Sequence, residues 1–282
     1  MPVWPSDYVE YVLKDIEKYN GVRKIAKAGL IERFAVRFCS PKRLHPNPED
    51  EFSMENVGPN MQIVGDYVEQ IKIDLVSDQD VFHEPVIVQK MKPDGYILIN
   101  GHHRWFAALR MRVKKLHIKI VNMINAEDLS RMIGATANSK LATFDFDEVL
   151  LSNSENNQDS IINRIFSRKF KERLRLGAAD TVKTLRDKGY DICVYSAGYL
   201  SEDEFNDFFS MYDIKVDVIV NGVNEKRTNT AGIKDLLKDK YKMIAHIDNE
   251  SVIISDHVKK DYEIFDIEDY DKSWSEGIKK IV

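Results

Sequence analysis

The stretch YILINGHHRWFAALRM, Tyr96–Met111, joins a run of β-formers to a helical segment through one glycine. Tyr96 to Ile99 has the apolar, branched character of a buried strand, whereas Trp105, Phe106 and Leu109 recur at helical spacing. Gly101 permits the tight turn between them. The first turn of the helix then exposes free backbone N–H groups, and Arg104 adds a planar fork of donors, so the segment has the makings of a phosphate site. His102 and His103 stand where an imidazole donates to phosphate or shuttles a proton.

Outward from this turn, EPVIVQKM (84–91) reads as a strand that PDG (93–95) folds back into YILIN as a hairpin, and KLHIKIVNM (115–123) closes the unit with another strand. QIVGDYVEQIKIDL (62–75) has helical character. Before it lies SPKRLHPNPEDEFSMENVGPN (40–60), rich in proline, acids and turn formers, a loop long enough to carry function. RFAVRFC (33–39) alternates as a strand does, and the chain from Ser6 to about Ile31 reads as one or two helices. A helix over NAEDLSRM ends in small residues, which puts the domain boundary near Asn138. Residues 1–138 form one expected domain and residues 139–282 a second.

The second domain reads strand (LATFDFD), loop and helix to about Leu176, helix (AADTVKTLRDKG), strand (DICVYSA), helix (SEDEFNDFFSMY), strand (VDVIVNG), helix (NTAGIKDLLKDK), strand (MIAHIDN) and a late strand (YEIFDI). Strands alternating with helices predict a doubly wound parallel sheet, with ligands beyond the carboxyl ends of its strands. That rule gathers Asp145, Asp147, Ser196, the neighbourhood of Lys226, Asp248 and Asn249. Alternation along an extended strand would point Asp145 and Asp147 the same way, and two carboxylates so close need a cation or a proton between them; magnesium is the natural choice.

Bulk properties narrow the classes. At 282 residues, two globular units are expected. With 43% hydrophobic and 31% charged residues, no apolar run approaches bilayer length and no secretory signal is visible, which predicts a cytoplasmic protein. Cys39 and Cys193 are far apart in apolar surroundings and read as buried thiols. A net charge of −5 supplies no global reason to bind nucleic acid. The basic runs VRKIAKAG (22–29) and RIFSRKFKERLR (164–175) read as solvated faces.

The segment Arg33–Met123 resembles the ParB/sulfiredoxin fold, in which a hairpin strand enters G-x-[HR]-R-x-x-A; Gly101, His103, Arg104 and Ala107 match. The resemblance implies a mixed α+β domain that holds a nucleotide such as ATP, ADP or CTP at Gly101, His102, His103 and Arg104. The paired histidines are like those of its kinase-like members, in which a loop acid activates the substrate hydroxyl. Glu49, Asp50 and Glu51 are the acids available, and Glu51 is preferred. His45 and His83 read as loop or capping residues.

Asp145-Phe146-Asp147-Glu148-Val149 resembles the D-x-D-x-[TV] motif of the haloacid dehalogenase superfamily of phosphohydrolases, a three-layer α/β fold, here with little or no cap. That resemblance implies Asp145 as nucleophile, Asp147 as acid and then base, Ser196 and Lys226 (or Lys234) as phosphate-binding residues, and Asp145, Asp147, Asp248 and Asn249 around Mg2+. Together the resemblances imply a two-domain phosphoryl-transfer enzyme, a Mg-dependent phosphatase with a nucleotide-binding or kinase-like domain, acting on a phosphorylated small molecule. The alternatives are a nucleotide-gated module that clamps nucleic acid or a partner on a degenerate phosphatase scaffold, and a nucleic-acid end-processing phosphatase.

Overall fold

A computed structural model describes residues 5–77, 81–152, 154–221 and 230–282. The chain is a mixed α/β protein that divides into two compact units, Met1–Asn122 and Met123–Val282. Among the described residues no helix is long and apolar enough to cross a membrane.

In the first unit, α1 (Ser6–Tyr8) runs through a π-helical turn, Val9–Leu13, into α2 (Lys14–Lys18). The strands are β1 (Lys24–Ile25), β2 (Phe38–Cys39), β3 (Leu44–His45), β4 (Val86–Lys92), β5 (Tyr96–Asn100) and β6 (Leu116–Ile120), with α3 (Leu30–Ala35), α4 (Met61–Val76) and α5 (His102–Arg110) between them. They form a mixed sheet in the order β2-β6-β4-β5-β3, and β1 pairs with the far end of β4. The β4–β5 hairpin is antiparallel and β6 returns parallel to β4, so α5 is the crossover that leaves the sheet at Gly101. Trp105, Phe106, Ala107, Ala108 and Leu109 are all buried, which fixes α5 against the sheet.

RFAVRFC departs from its alternating pattern. Only Phe38–Cys39 finds a ladder partner, opposite His117 and Leu116 on β6. The preceding residues take helical bonds instead, Arg33 N–H to Gly29 O and Val36 N–H to Glu32 O. Glu32 fastens that helix to the sheet by accepting from Lys90 Nζ at 2.6 Å and Tyr96 Oη at 2.9 Å.

The second unit begins earlier than Asn138. The helix α6 (Ala126–Gly134) buries Leu129, Met132 and Ile133 in the same core as Leu141 and Phe144, so it belongs with the chain that follows it. The strands are β7 (Lys140–Asp145), β8 (Leu151–Ser152), β9 (Arg173–Leu174), β10 (Tyr190–Ser196), β11 (Val218–Asn221), β12 (Met243–Ile247), β13 (Ser251–Asp256) and β14 (Asp261–Asp266). The helices are α7 (Ala178–Asp187), α8 (Glu202–Ser210), α9 (Thr230–Lys240) and α10 (Trp274–Ile281). The main sheet runs β11-β10-β7-β12-β13-β14, and its first four strands are parallel as the alternation predicts. The last two are antiparallel, so the sheet is mixed.

SVIISD forms a further strand, β13, because Asn249-Glu250 turns the chain straight back onto β12. The helix expected before Leu176 is absent among the described residues; the small hairpin β8–β9 closes the segment instead.

Candidate functional site

The turn in the first unit is built as the sequence predicts. Gly101 has φ 94° and ψ 25°, a left-handed conformation that a Cβ would strain. A Cβ there would also come within 3.2 Å of the Arg104 guanidinium and of Val86, so the glycine leaves room for the arginine to fold back over the turn. The Arg104 side chain is buried. Its Nη1 donates to the Glu84 carbonyl at 2.7 Å and lies 3.2 Å from the Glu84 carboxylate, which is itself exposed. Together with Tyr67, Asp74, His83 and Glu84, Arg104 lines a cavity of about 520 Å³.

The two histidines face the other way, into the long loop. His102 Nε2 accepts the Asn47 N–H at 3.2 Å and His103 Nε2 accepts the Asn60 N–H at 3.1 Å. An accepting Nε2 puts the ring proton on Nδ1, so both rings are neutral in this arrangement. Burial of His102, with the neighbouring His103 adding to it, pushes its pKa down to about 3. Burial also lowers the pKa of His103. The rings therefore staple residues 46–60 to the start of α5 instead of presenting donors to an anion.

Phe52 completes the closure. It is buried against His103, His102 and Phe106 at centroid distances of 5.0, 5.5 and 5.8 Å, and its carbonyl accepts the Tyr8 hydroxyl at 2.9 Å. The acid brought to the histidines is Asp50: it is buried, with Oδ2 3.5 Å from His102 Nδ1, while Oδ1 caps the short turn Glu51–Ser53. Glu51 heads that turn with its side chain exposed. His45 is buried with Nδ1 3.1 Å from the Asp15 carboxylate, and His83 lines the Arg104 cavity.

In the second unit, β7 stops at Asp145 and residues 146–150 coil into a π-helical turn, so strand alternation does not set the direction of Asp147. Asp145 Oδ1 caps the turn by accepting the Glu148 N–H at 2.7 Å. Asp147 Oδ2 accepts from Ser196 Oγ and from the Ala197 N–H, both at 2.9 Å. The structure thus brings Asp147 and Ser196 together across the carboxyl ends of β7 and β10.

Asp248 turns its Oδ1 back to the Asn249 N–H, and Asn249 Oδ1 accepts from Arg175 Nη1 at 2.7 Å. Arg175 lies 4.4 Å over the Trp274 ring, whose Nε1 donates to the Asp248 carbonyl. Among the described residues, no three His, Cys, Asp or Glu side chains gather within reach of one ion. The described side chains therefore offer the magnesium that the resemblance implies fewer than three such ligands at one point. Lys226, with its rival Lys234, lies outside the residues whose side chains are described.

A family model for the ParB N-terminal domain matches residues 59–137. The chain is similar to that domain from α4 through α6. No curated protein matches the chain. The matched segment contains Gly101, His102, His103 and Arg104 and ends before Asp145. It leaves out Asp50 and Phe52, which hold the loop over the turn. Asp50 was one of three candidate acids in sequence. Glu84 and Arg175 carried no sequence signal, since each acts through a partner far along the chain.

Proposed function

We propose that the first unit binds a nucleotide, ATP, ADP or CTP, with Arg104 taking its phosphates. The observation that carries this reading is the left-handed Gly101 turn delivering a buried guanidinium to an open cavity. A phosphate there would replace the Glu84 carboxylate, which is exposed and free to swing away while the Glu84 carbonyl keeps Arg104 in place. The similarity to the ParB N-terminal domain over residues 59–137 supports the same reading. The test is calorimetric titration of the full chain with each nucleotide. Binding of at least one, weakened about tenfold or more in Arg104→Ala, is expected from the loss of a charge-assisted hydrogen bond. A folded chain that binds none of them at millimolar concentration refutes it.

The second unit, in this proposal, is a phosphohydrolase of the haloacid dehalogenase kind. Asp145 would attack phosphorus, forming an aspartyl phosphate, while Asp147 gives a proton to the leaving oxygen. Asp147 would then take a proton from water as that water releases phosphate and restores Asp145. The contact between Asp147 and Ser196 supports the pairing of those two motifs. Release of phosphate from an aryl phosphate, measured with and without Mg2+ and lost in Asp145→Asn, tests it; a folded chain that releases none refutes this half alone.

One observation favours a second reading of the first unit. Because His102 and His103 staple the loop and Glu51 faces solvent, nucleotide binding would change the order of residues 46–60 instead of driving transfer to a hydroxyl, as in a gated binding module. Retention of the γ-phosphate in the presence of hydroxylated metabolites, with altered proteolysis of the loop, distinguishes this from a kinase.

A further inference from the structure

At the far end of α5 from the GHHR turn lies a second cavity, of about 610 Å³. It is lined by Lys42, Arg112 and Lys114, with Ser40 and Tyr11 adding hydroxyls and Leu109 an apolar floor. No carboxylate lines it, in contrast to the Arg104 cavity, where Asp74 and Glu84 both stand. The sequence explains the imbalance. Residues 33–48 and 95–122 contain no aspartate or glutamate, in a chain whose net charge is −5, and β2 pairs with β6 to bring these two acid-free stretches together.

The end of α5 is a Schellman motif: Val113 N–H bonds to Ala108 O at 2.9 Å and Arg112 N–H to Leu109 O at 3.0 Å. The residue after the C-cap in that motif takes a left-handed conformation and is usually glycine. Here it is Arg112, with φ 54°. The fold accepts local strain at a position of the turn whose side chain lines the cavity. Beside it, the exposed face of the β2–β6 pair carries Phe38 and His117 stacked at 5.1 Å.

We propose that this cavity is an anion site for a phosphate-rich ligand, either a free polyphosphate-bearing small molecule or the backbone of an oligonucleotide. It is separate from the Arg104 site and does not depend on the reading of that site. Three cations with no opposing acid in a concave wall focus a positive field, and the hydroxyls of Ser40 and Tyr11 serve as further donors.

The test uses the full chain with inorganic tripolyphosphate and, separately, a ten-residue oligothymidylate. In an Arg104→Ala background, which removes the other phosphate site, tripolyphosphate binding that persists and then falls about tenfold or more on adding Arg112→Gly or Lys114→Glu supports the site. Arg112→Gly keeps the result interpretable, because glycine suits the left-handed position and its thermal midpoint should hold or rise. If oligothymidylate also binds, with a log–log salt slope of about −2 as three neutralised phosphates of a single strand require, the source is a strand. If only tripolyphosphate binds, the source is a small molecule. Absence of binding by both ligands overturns the proposal, as does binding that ignores Arg112 and Lys114 or that disappears only with Arg104.

Discussion

Acidification should loosen the first unit through His102. Its ring accepts a backbone N–H in a fully buried position, so protonation would oppose two N–H groups and place a charge where water cannot reach it. The native pKa is about 3, against 6.5 for an unperturbed histidine. A depressed histidine pKa means that the unfolded chain binds the proton first, so the associated stability is complete above pH 6.5 and is lost as the pH falls toward 3. Linkage puts the loss at about 2 kcal/mol by pH 5 and about 3 kcal/mol by pH 4. The measurement is hydrogen exchange on peptides spanning residues 44–60, corrected for the intrinsic pH dependence, alongside the same peptides from His102→Gln. Glutamine keeps an acceptor for Asn47 but cannot titrate, so the pH-dependent loss should shrink in the variant to the part that His103, whose pKa burial also lowers, contributes through Asn60, while peptides from β7 in the second unit serve as a control. Protection of the loop that is flat between pH 7 and pH 5, or that falls equally in His102→Gln, would refute the assignment of His102 as a neutral staple.

Three further outcomes are expected. Phe52→Ala should lower the stability of the first unit by about 3–5 kcal/mol in urea unfolding and expose residues 46–60 to protease, since a buried aromatic is removed from the centre of a ring cluster. Gly101→Ala should cost about 1–2 kcal/mol from the left-handed backbone alone, and should also weaken nucleotide binding by crowding the guanidinium of Arg104. Glu84→Gln should tighten nucleotide binding several-fold in titration calorimetry, by removing the charge that competes for Arg104 without disturbing the carbonyl that orients it.

Local patterns were legible in the sequence wherever a single segment determined the outcome. The hairpin, the Gly101 turn and the buried face of α5 follow from residues within about twenty positions of one another, and so does the alternation that gives four parallel strands around β7. What the sequence did not show depends on partners distant in the chain. RFAVRFC has a strand pattern, yet only Phe38 and Cys39 pair with β6, with Arg37 O accepting the Ile118 N–H, while Arg33 and Val36 make helical bonds. SVIISD is the exception: its partner strand is adjacent in the chain, and it gave no clear period because Val252 alone of its six residues is buried. Strand alternation does not place Asp147, because β7 ends two residues earlier and the contact with Ser196 is made from a π-helical turn.

The histidines show why a motif alone leaves function open. A histidine at a helix start offers the same atoms to a phosphate or to a backbone N–H, and the choice is made by whatever covers the turn. Here the cover is the loop 46–60, pinned by Phe52, and its amides claim both Nε2 atoms before any ligand arrives. Arg104 is not claimed in the same way, because a guanidinium only donates and its partners are the Glu84 carbonyl, the Asn100 side-chain oxygen at 3.4 Å and one exposed carboxylate. Of the cationic or ring donors in GHHR, the arginine is therefore the one whose present partner a phosphate can replace without unfolding the loop. A variant that loses His103 but keeps Arg104 should release the Asn60 amide and the N-cap of α4 while leaving nucleotide affinity within about threefold, a separation that calorimetry and hydrogen exchange on one sample would resolve. Loss of nucleotide binding together with an intact α4 N-terminus would instead make His103 a ligand for phosphate.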